Sequence, residues 1–168
     1  MRMRDAVDLI TEHWEIQRPD VDVSPMAIVG RITRLSRVLE QDLKRFFAGH
    51  GLEFWEFDVL ATLRRSGGDT GLTAGSLNRA AMVTSGAITN RIDRLAAKNL
   101  VRRVPSADDR RSVFVQLTDE GRELVDRLLP LHMDNEQRLL AALGAEDREQ
   151  LAGLLRTLAV GLEDTTLD

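Results

Sequence analysis

Apolar residues recur along most of this chain at the i, i+3, i+4 spacing of a helix, interrupted once by a pattern of different period. Residues 5–17 place Ala6, Leu9, Ile10, His13 and Trp14 on one face, which predicts an amphipathic helix. The stretch RPDVDVSP breaks it, and Pro25 after Ser24 opens a long second helix that reaches Ala48. Its apolar face carries Ile28, Ile32, Leu35, Val38, Leu39, Leu43 and Phe46, and His50-Gly51 ends it. A third helix, residues 53–65, is apolar almost all round (Phe54, Trp55, Phe57, Val59, Leu60, Leu63), so it is expected at the centre of the molecule.

After SGGDTG, Thr73 opens a short helix, TAGSLNRAA, and Thr84 or Ser85 caps another that runs to Lys98. Two helices joined by a tight turn make a helix-turn-helix. The period then changes. Residues 101–104 and 112–117 are β-branched or alternate apolar and polar, with Pro105-Ser106-Ala107-Asp108 as the loop of an antiparallel hairpin. Thr118 with Asp119 and Glu120 caps a long helix through Ala142, and residues 147–162 form a last one. The predicted fold is mainly α with a small two-stranded β-hairpin wing. A winged helix-turn-helix at residues 53–117 stands between N-terminal helices (1–48) and C-terminal helices (118–168). Long leucine-rich flanks cannot bury both sides against one small core, so they are expected to serve as dimerisation helices in a homodimer.

Charge changes this picture from a fold into a candidate function. The chain has a net charge of -4, yet residues 64–117 hold 10 Lys/Arg against 4 Asp/Glu, while residues 118–168 hold 5 against 12. A basic middle between acidic ends suits a polyanion, because Lys and Arg gain affinity by releasing counterions condensed on phosphates. On the second helix of the helix-turn-helix, Ile88, Ile92 and Leu95 form one apolar stripe. Gly86, Asn90 and Asp93 lie opposite, with Thr89 and Arg94 toward either edge. With Thr84 and Ser85, this outward half offers small residues, hydroxyls and an amide, the donors and acceptors that a helix entering a major groove presents to base edges and phosphates. Candidate residues for binding double-stranded DNA are therefore Thr84, Ser85, Gly86, Thr89, Asn90 and Arg94, joined by the basic hairpin tip.

The run SGAITNRIDRLAAKNLVRRVPSADDRRSVFVQLTDEGREL resembles the multiple-antibiotic-resistance-regulator (MarR) winged-helix family in its recognition helix, its D-x-R-[SG] wing and its LT-x-x-G helix start. The resemblance implies a dimeric transcription regulator on a pseudo-palindromic operator. It further implies that Arg111, beside Arg110, enters the minor groove at the wing while Asp109 holds its guanidinium; a narrow A·T-rich minor groove concentrates the negative potential that attracts arginine.

Three further residues suggest an effector. Asp58 is a carboxylate on an otherwise apolar helix, costly unless paired, and Arg91 flanks the buried stripe of the recognition helix and is a plausible partner. Trp14 lies on the apolar face of the N-terminal helix. Together Trp14, Asp58 and Arg91 resemble the urate-responsive subgroup of the same family, which implies a small anionic or aromatic ligand such as urate or a related purine.

Other chemistry is not supported by the residues. The chain has no cysteine, and His13, His50 and His132 share no metal-ligand spacing, so neither a metal nor a cofactor is expected. Ser85 has no His or Lys at a suggestive spacing, and SGGDTG lacks the Lys-Ser/Thr ending of a phosphate loop, so no enzyme is read here. No apolar run approaches the about 18 residues needed to span a bilayer and the N-terminus is unlike a secretory signal, so no membrane partner and a cytoplasmic location are expected. The alternatives are a winged-helix protein–protein adaptor, or a small-molecule carrier, without operator binding.

Overall fold

The computed structural model of the chain describes residues 4–81, 88–106 and 112–166. These form α1 (Ala6–Gln17), α2 (Met26–Ala48), α3 (Phe54–Ser66), β1 (Leu72–Thr73), α4 (Ala74–Ala80), α5 (Ile88–Ala97), β2 (Val101–Pro105), β3 (Val113–Leu117), α6 (Asp119–Leu139) and α7 (Ala145–Gly161). The architecture is mainly helical with a small antiparallel sheet, and the chain divides into two compact units, Met1–Arg45 and Phe46–Asp168.

In the first unit, a capping box starts α1. Asp5 Oδ1 accepts from the amides of Val7 (2.8 Å) and Asp8 (3.0 Å), and Asp8 Oδ2 accepts from the amide of Asp5 at 2.9 Å. Arg31 on α2 donates to both carboxylates. Val7, buried, packs on Gly30, where a Cβ would stand 3.3 Å from its methyl group. Most of the other large apolar side chains of α1 and of the α2 stripe are exposed, among them Leu9, Ile10, Trp14, Ile28, Leu35 and Val38, while Leu43 and Phe46 are half-buried.

In the second unit α3 is central, as its sequence predicts: Phe57, Val59, Leu60 and Leu63 are buried with Leu77 of α4, Ile92 and Leu95 of α5, Val115 of β3, and Val125 and Leu128 of α6. The sheet has three strands in the order β1-β3-β2. The pairs Val101↔Leu117 to Pro105↔Val113 are the hairpin read from the sequence, whereas Leu72↔Val115 and Thr73↔Phe114 add an edge strand to the two expected. That edge is a correction. Two residues are too few to show a period, and Thr73 also caps α4, its Oγ1 accepting from the Ser76 amide at 3.1 Å, so it reads as a helix start.

Tight backbone approaches fix the sheet against the helices. Gly71 has φ +84°, and a Cβ there would stand 2.2 Å from the Val115 carbonyl oxygen; a Cβ on Gly121 in the first turn of α6 would stand 2.0 Å from that of Leu100. Asn99, at φ +57°, closes α5 and turns the chain into β2, with the Leu100 amide donating to Leu95 O at 3.0 Å. His132 of α6 is buried among Phe46, Phe47 and Phe57, its ring 5.1 Å from that of Phe47, with Nε2 3.3 Å from Glu136.

Candidate nucleic-acid interface

The recognition helix α5 divides as its sequence spacing predicts. Ile92 and Leu95 are 1% and 0% exposed, whereas Thr89, Asn90 and Asp93 on the other side are open to solvent. An amide and a hydroxyl on an exposed helix face can donate and accept at base edges without first breaking buried contacts.

The hairpin is tied to that helix and to the loop beneath it. Arg103 of β2 reaches back to Asp93, Nη1 to Oδ1 at 2.5 Å, and Nη2 lies 3.5 Å from the Thr89 carbonyl. Arg102 Nε donates to Gln116 Oε1 at 3.1 Å, and Gln116 Nε2 donates to the carbonyls of Asp69 and Thr70, both at 3.0 Å. A helix tied at its outer face to the wing strand has its pose set by two elements at once. Thr84, Ser85 and Gly86 at the start of the recognition helix, and Asp109, Arg110 and Arg111 at the wing tip, lie outside the described residues.

Both arginines of α5 lie against α3. The Arg91 guanidinium is over the Trp55 ring, 5.3 Å from its centroid. Asp58 is buried on α3. Arg94, 49% exposed, lies 4.9 Å over the same ring and forms an ion pair with Glu53. Glu53 accepts at its other oxygen from Trp55 Nε1 at 2.6 Å. The Arg94 hydrogen bond, aided by that of the indole, holds the Glu53 carboxyl below the ordinary carboxylate range. Trp14 belongs to the first unit and is 47% exposed.

Trp55, Glu53, Glu56 and Lys98 were not singled out by sequence reasoning. Lys98 Nζ pairs with the fully buried Glu56 at 2.7 Å. A signal was present in the spacing: Arg91, Arg94 and Lys98 fall at i, i+3, i+7, one face of a helix, and Glu53 and Glu56 fall at i, i+3. A recess of about 200 Å³ elsewhere in this unit is lined by Leu63, Arg64, Asp69, Leu117 and Arg122, and by neither Asp58 nor Arg91. Among the described residues no three His, Cys, Asp or Glu side chains cluster as a metal site, and no helix is long and apolar enough to cross a membrane.

Residues 50–112 match the MarR family. Over 146 residues the chain is 38% identical to the HTH-type transcriptional regulator PecS of Dickeya dadantii, spanning 87% of this chain and 88% of PecS. The chain belongs to the MarR family. Solved MarR-family structures share its architecture. AbsC of Streptomyces coelicolor, a MarR family transcriptional regulator, is 27% identical with a TM-score of 0.72, covering 86% of this chain and 97% of AbsC. A mutant MarR of Escherichia coli complexed with operator DNA is 26% identical with a TM-score of 0.69, covering 82% of this chain and 99% of that one.

Proposed function

We propose that this chain is a DNA-binding transcription regulator, a cytoplasmic homodimer that represses from a pseudo-palindromic operator and is released by a small anionic ligand. The observation that carries the DNA-binding reading is the division of α5: its apolar residues are spent inward on the core, and Thr89 and Asn90 face out beside a hairpin braced to the same helix. Thr84, Ser85 and Gly86 extend that surface in the sequence, and Arg110 and Arg111, with Asp109 as orienting carboxylate, supply the minor-groove contact. Footprinting on the DNA upstream of its own gene, repeated across a salt series, tests it. A protected palindrome with affinity that falls steeply with salt is expected; no protection at low salt would sink the reading.

The homodimer is supported by the apolar side chains left in solvent on helices outside the winged core. Ile28 and Leu35 of α2 and Leu154 of α7 are 62%, 57% and 62% exposed, and on each helix their neighbours at helical spacing are exposed too. A pseudo-palindrome calls for a twofold partner, and the same faces on a second copy would cover these stripes.

The finer assignment of urate or a related purine as effector rests on the resemblance carried by Trp14, Asp58 and Arg91. The setting of Arg91 supports a coupling of ligand to DNA: its guanidinium belongs to the recognition helix, so an anion that draws it from the Trp55 ring acts on the helix that reads the operator. By linkage, DNA weakens the ligand by the factor with which the ligand weakens DNA. Calorimetry with urate and other purines, with and without operator, tests this part alone. Absence of heat with every purine would remove the effector and leave the DNA-binding reading standing.

A further inference from the structure

One face of α5 is engaged with α3, although Arg94 and Lys98 on it keep 49% and 41% of their side-chain surface in solvent. The cap and first turn of α3 offer Glu53, Trp55 and Glu56, and Arg91 and Arg94 of α5, with Lys98 just past its end, all find partners there. The guanidinium groups of Arg91 and Arg94 lie 5.3 and 4.9 Å from the Trp55 centroid, within cation–π range. Arg94 also pairs with Glu53, and the Trp55 Nε1 bond to Glu53 at 2.6 Å fixes the ring between them. At the end of the helix, Lys98 Nζ stands 2.7 Å from Glu56 Oε2 and 3.4 Å from the Gly51 carbonyl.

The Lys98 contact resists opening for a specific reason. Glu56 is fully buried, and its Oε2 is shared between Lys98 and the Glu53 amide at 2.9 Å, while Oε1 is buried with no hydrogen-bond partner among the described residues. A carboxylate with half its acceptor capacity already unused cannot lose its cation cheaply, because the charge would be left uncompensated out of water. The geometry is that of a two-point clamp: two guanidinium groups against one ring along α5, and an ion pair from a part-exposed lysine to a buried carboxylate just past its C-terminal end.

We propose that Glu53, Trp55 and Glu56 are positioning residues that set the pose of the recognition helix by holding Arg91, Arg94 and Lys98, so that these cations orient α5 and do not bind DNA phosphates. This inference rests on the DNA-binding reading above. It separates two kinds of arginine in the same domain. A phosphate contact adds affinity for any DNA and steepens the salt dependence by about one counterion. A clamp contact adds affinity only where the pose of the helix matters, at base edges of the operator.

The test uses the full chain, the DNA upstream of its own gene and a shuffled duplex of equal length, titrated over a salt series. Arg94→Gln is expected to weaken the upstream DNA about fivefold, the scale of one exposed ion pair with one ring contact, and to leave the shuffled duplex and the salt slope unchanged. Trp55→Ala should do the same, and Trp55→Phe, which keeps a ring, should restore most of the loss. The exchange Glu53→Arg with Arg94→Glu is expected to recover upstream affinity to within about twofold of wild type, although it leaves an acid on α5. Thermal unfolding of each variant reports that it is folded. An Arg94→Gln slope shallower by about one, equal losses on both duplexes, or an exchange that fails to rescue would overturn the clamp while the DNA-binding reading stood. A wild type with no preference for the upstream DNA would instead bring down the DNA-binding reading, and the clamp with it.

Discussion

Helices α5 and α2 carry the same kind of apolar stripe and meet opposite fates. In α5 the stripe residues Ile92 and Leu95 are sealed into the core beneath α3 and α4. In α2 the stripe residues Ile28, Leu35 and Val38 are all more than half exposed. Periodicity states which side chains share a face; it does not state what covers that face. In the second unit the cover is the chain's own sheet and helices. For α2, and for Leu154 and Leu158 on α7, the apolar side chains on consecutive turns are left in solvent, surface that the homodimer proposed above would cover.

The contrast can be broken by equal truncations on its two sides. Leu95→Ala should cost about 2–5 kcal/mol of stability in denaturant unfolding, the range for a buried leucine in a core that cannot collapse. A loss under about 1 kcal/mol would mean that the core is looser than its burial indicates. Leu35→Ala should leave the fold intact and instead weaken self-association by about 1.5–3 kcal/mol, read by sedimentation across a concentration series. If Leu35→Ala unfolded the chain at every concentration, or left association unchanged, the stripe would not be an interface.

The outward surface of the second unit is sharpened by Arg111→Ala, expected to weaken operator binding by about 1–3 kcal/mol and make the salt slope shallower by about one, with Asp109→Ala losing less. Unchanged titrations for Arg111→Ala would remove the wing tip from the interface.

The smallest effect is expected at His132, where burial pushes the imidazole pKa down against a weaker opposing pull from Glu136. A folded-state value below the unfolded one means that, as pH falls through the ordinary histidine value, the unfolded chain takes up the proton first. Stability from this site is therefore complete above that value and is lost as pH falls from there to the depressed folded value. His132→Phe, placed among Phe46, Phe47 and Phe57, should flatten the fall in melting temperature as pH drops below the ordinary histidine value of about 6.5. A variant with the slope of wild type would place the acid sensitivity elsewhere.

Much of the fold was legible because it is written locally. Asp5, Thr73 and Thr118 accept from amides two or three residues on, and the helices begin there. The switch to β-branched alternation after Asn99 marks the hairpin, and the inward stripe of α5 follows from a period of 3.6. The candidate site was legible where it depends on such spacing: Thr89 and Asn90 face outward as their angle on the helix requires. It was not legible where a long side chain chooses among partners. Arg91 flanks the buried stripe, as read, and its guanidinium lies over the ring of Trp55, a contact that spacing within the helix does not specify.

By itself, then, the sequence determined the order and type of the elements other than β1, the caps at Thr73 and Thr118, the inward face of α5 and the basic character of the winged segment. All of these arise from propensity, period and charge within a few residues. Only the tertiary structure decided that Arg94 meets Glu53 across 41 residues, that Lys98 meets a buried Glu56 across 42, and that Leu72 and Thr73 pair with β3. Those choices depend on where packing brings two distant backbones, and a flexible cation within reach of several acids or rings takes the one that the core has already fixed in place.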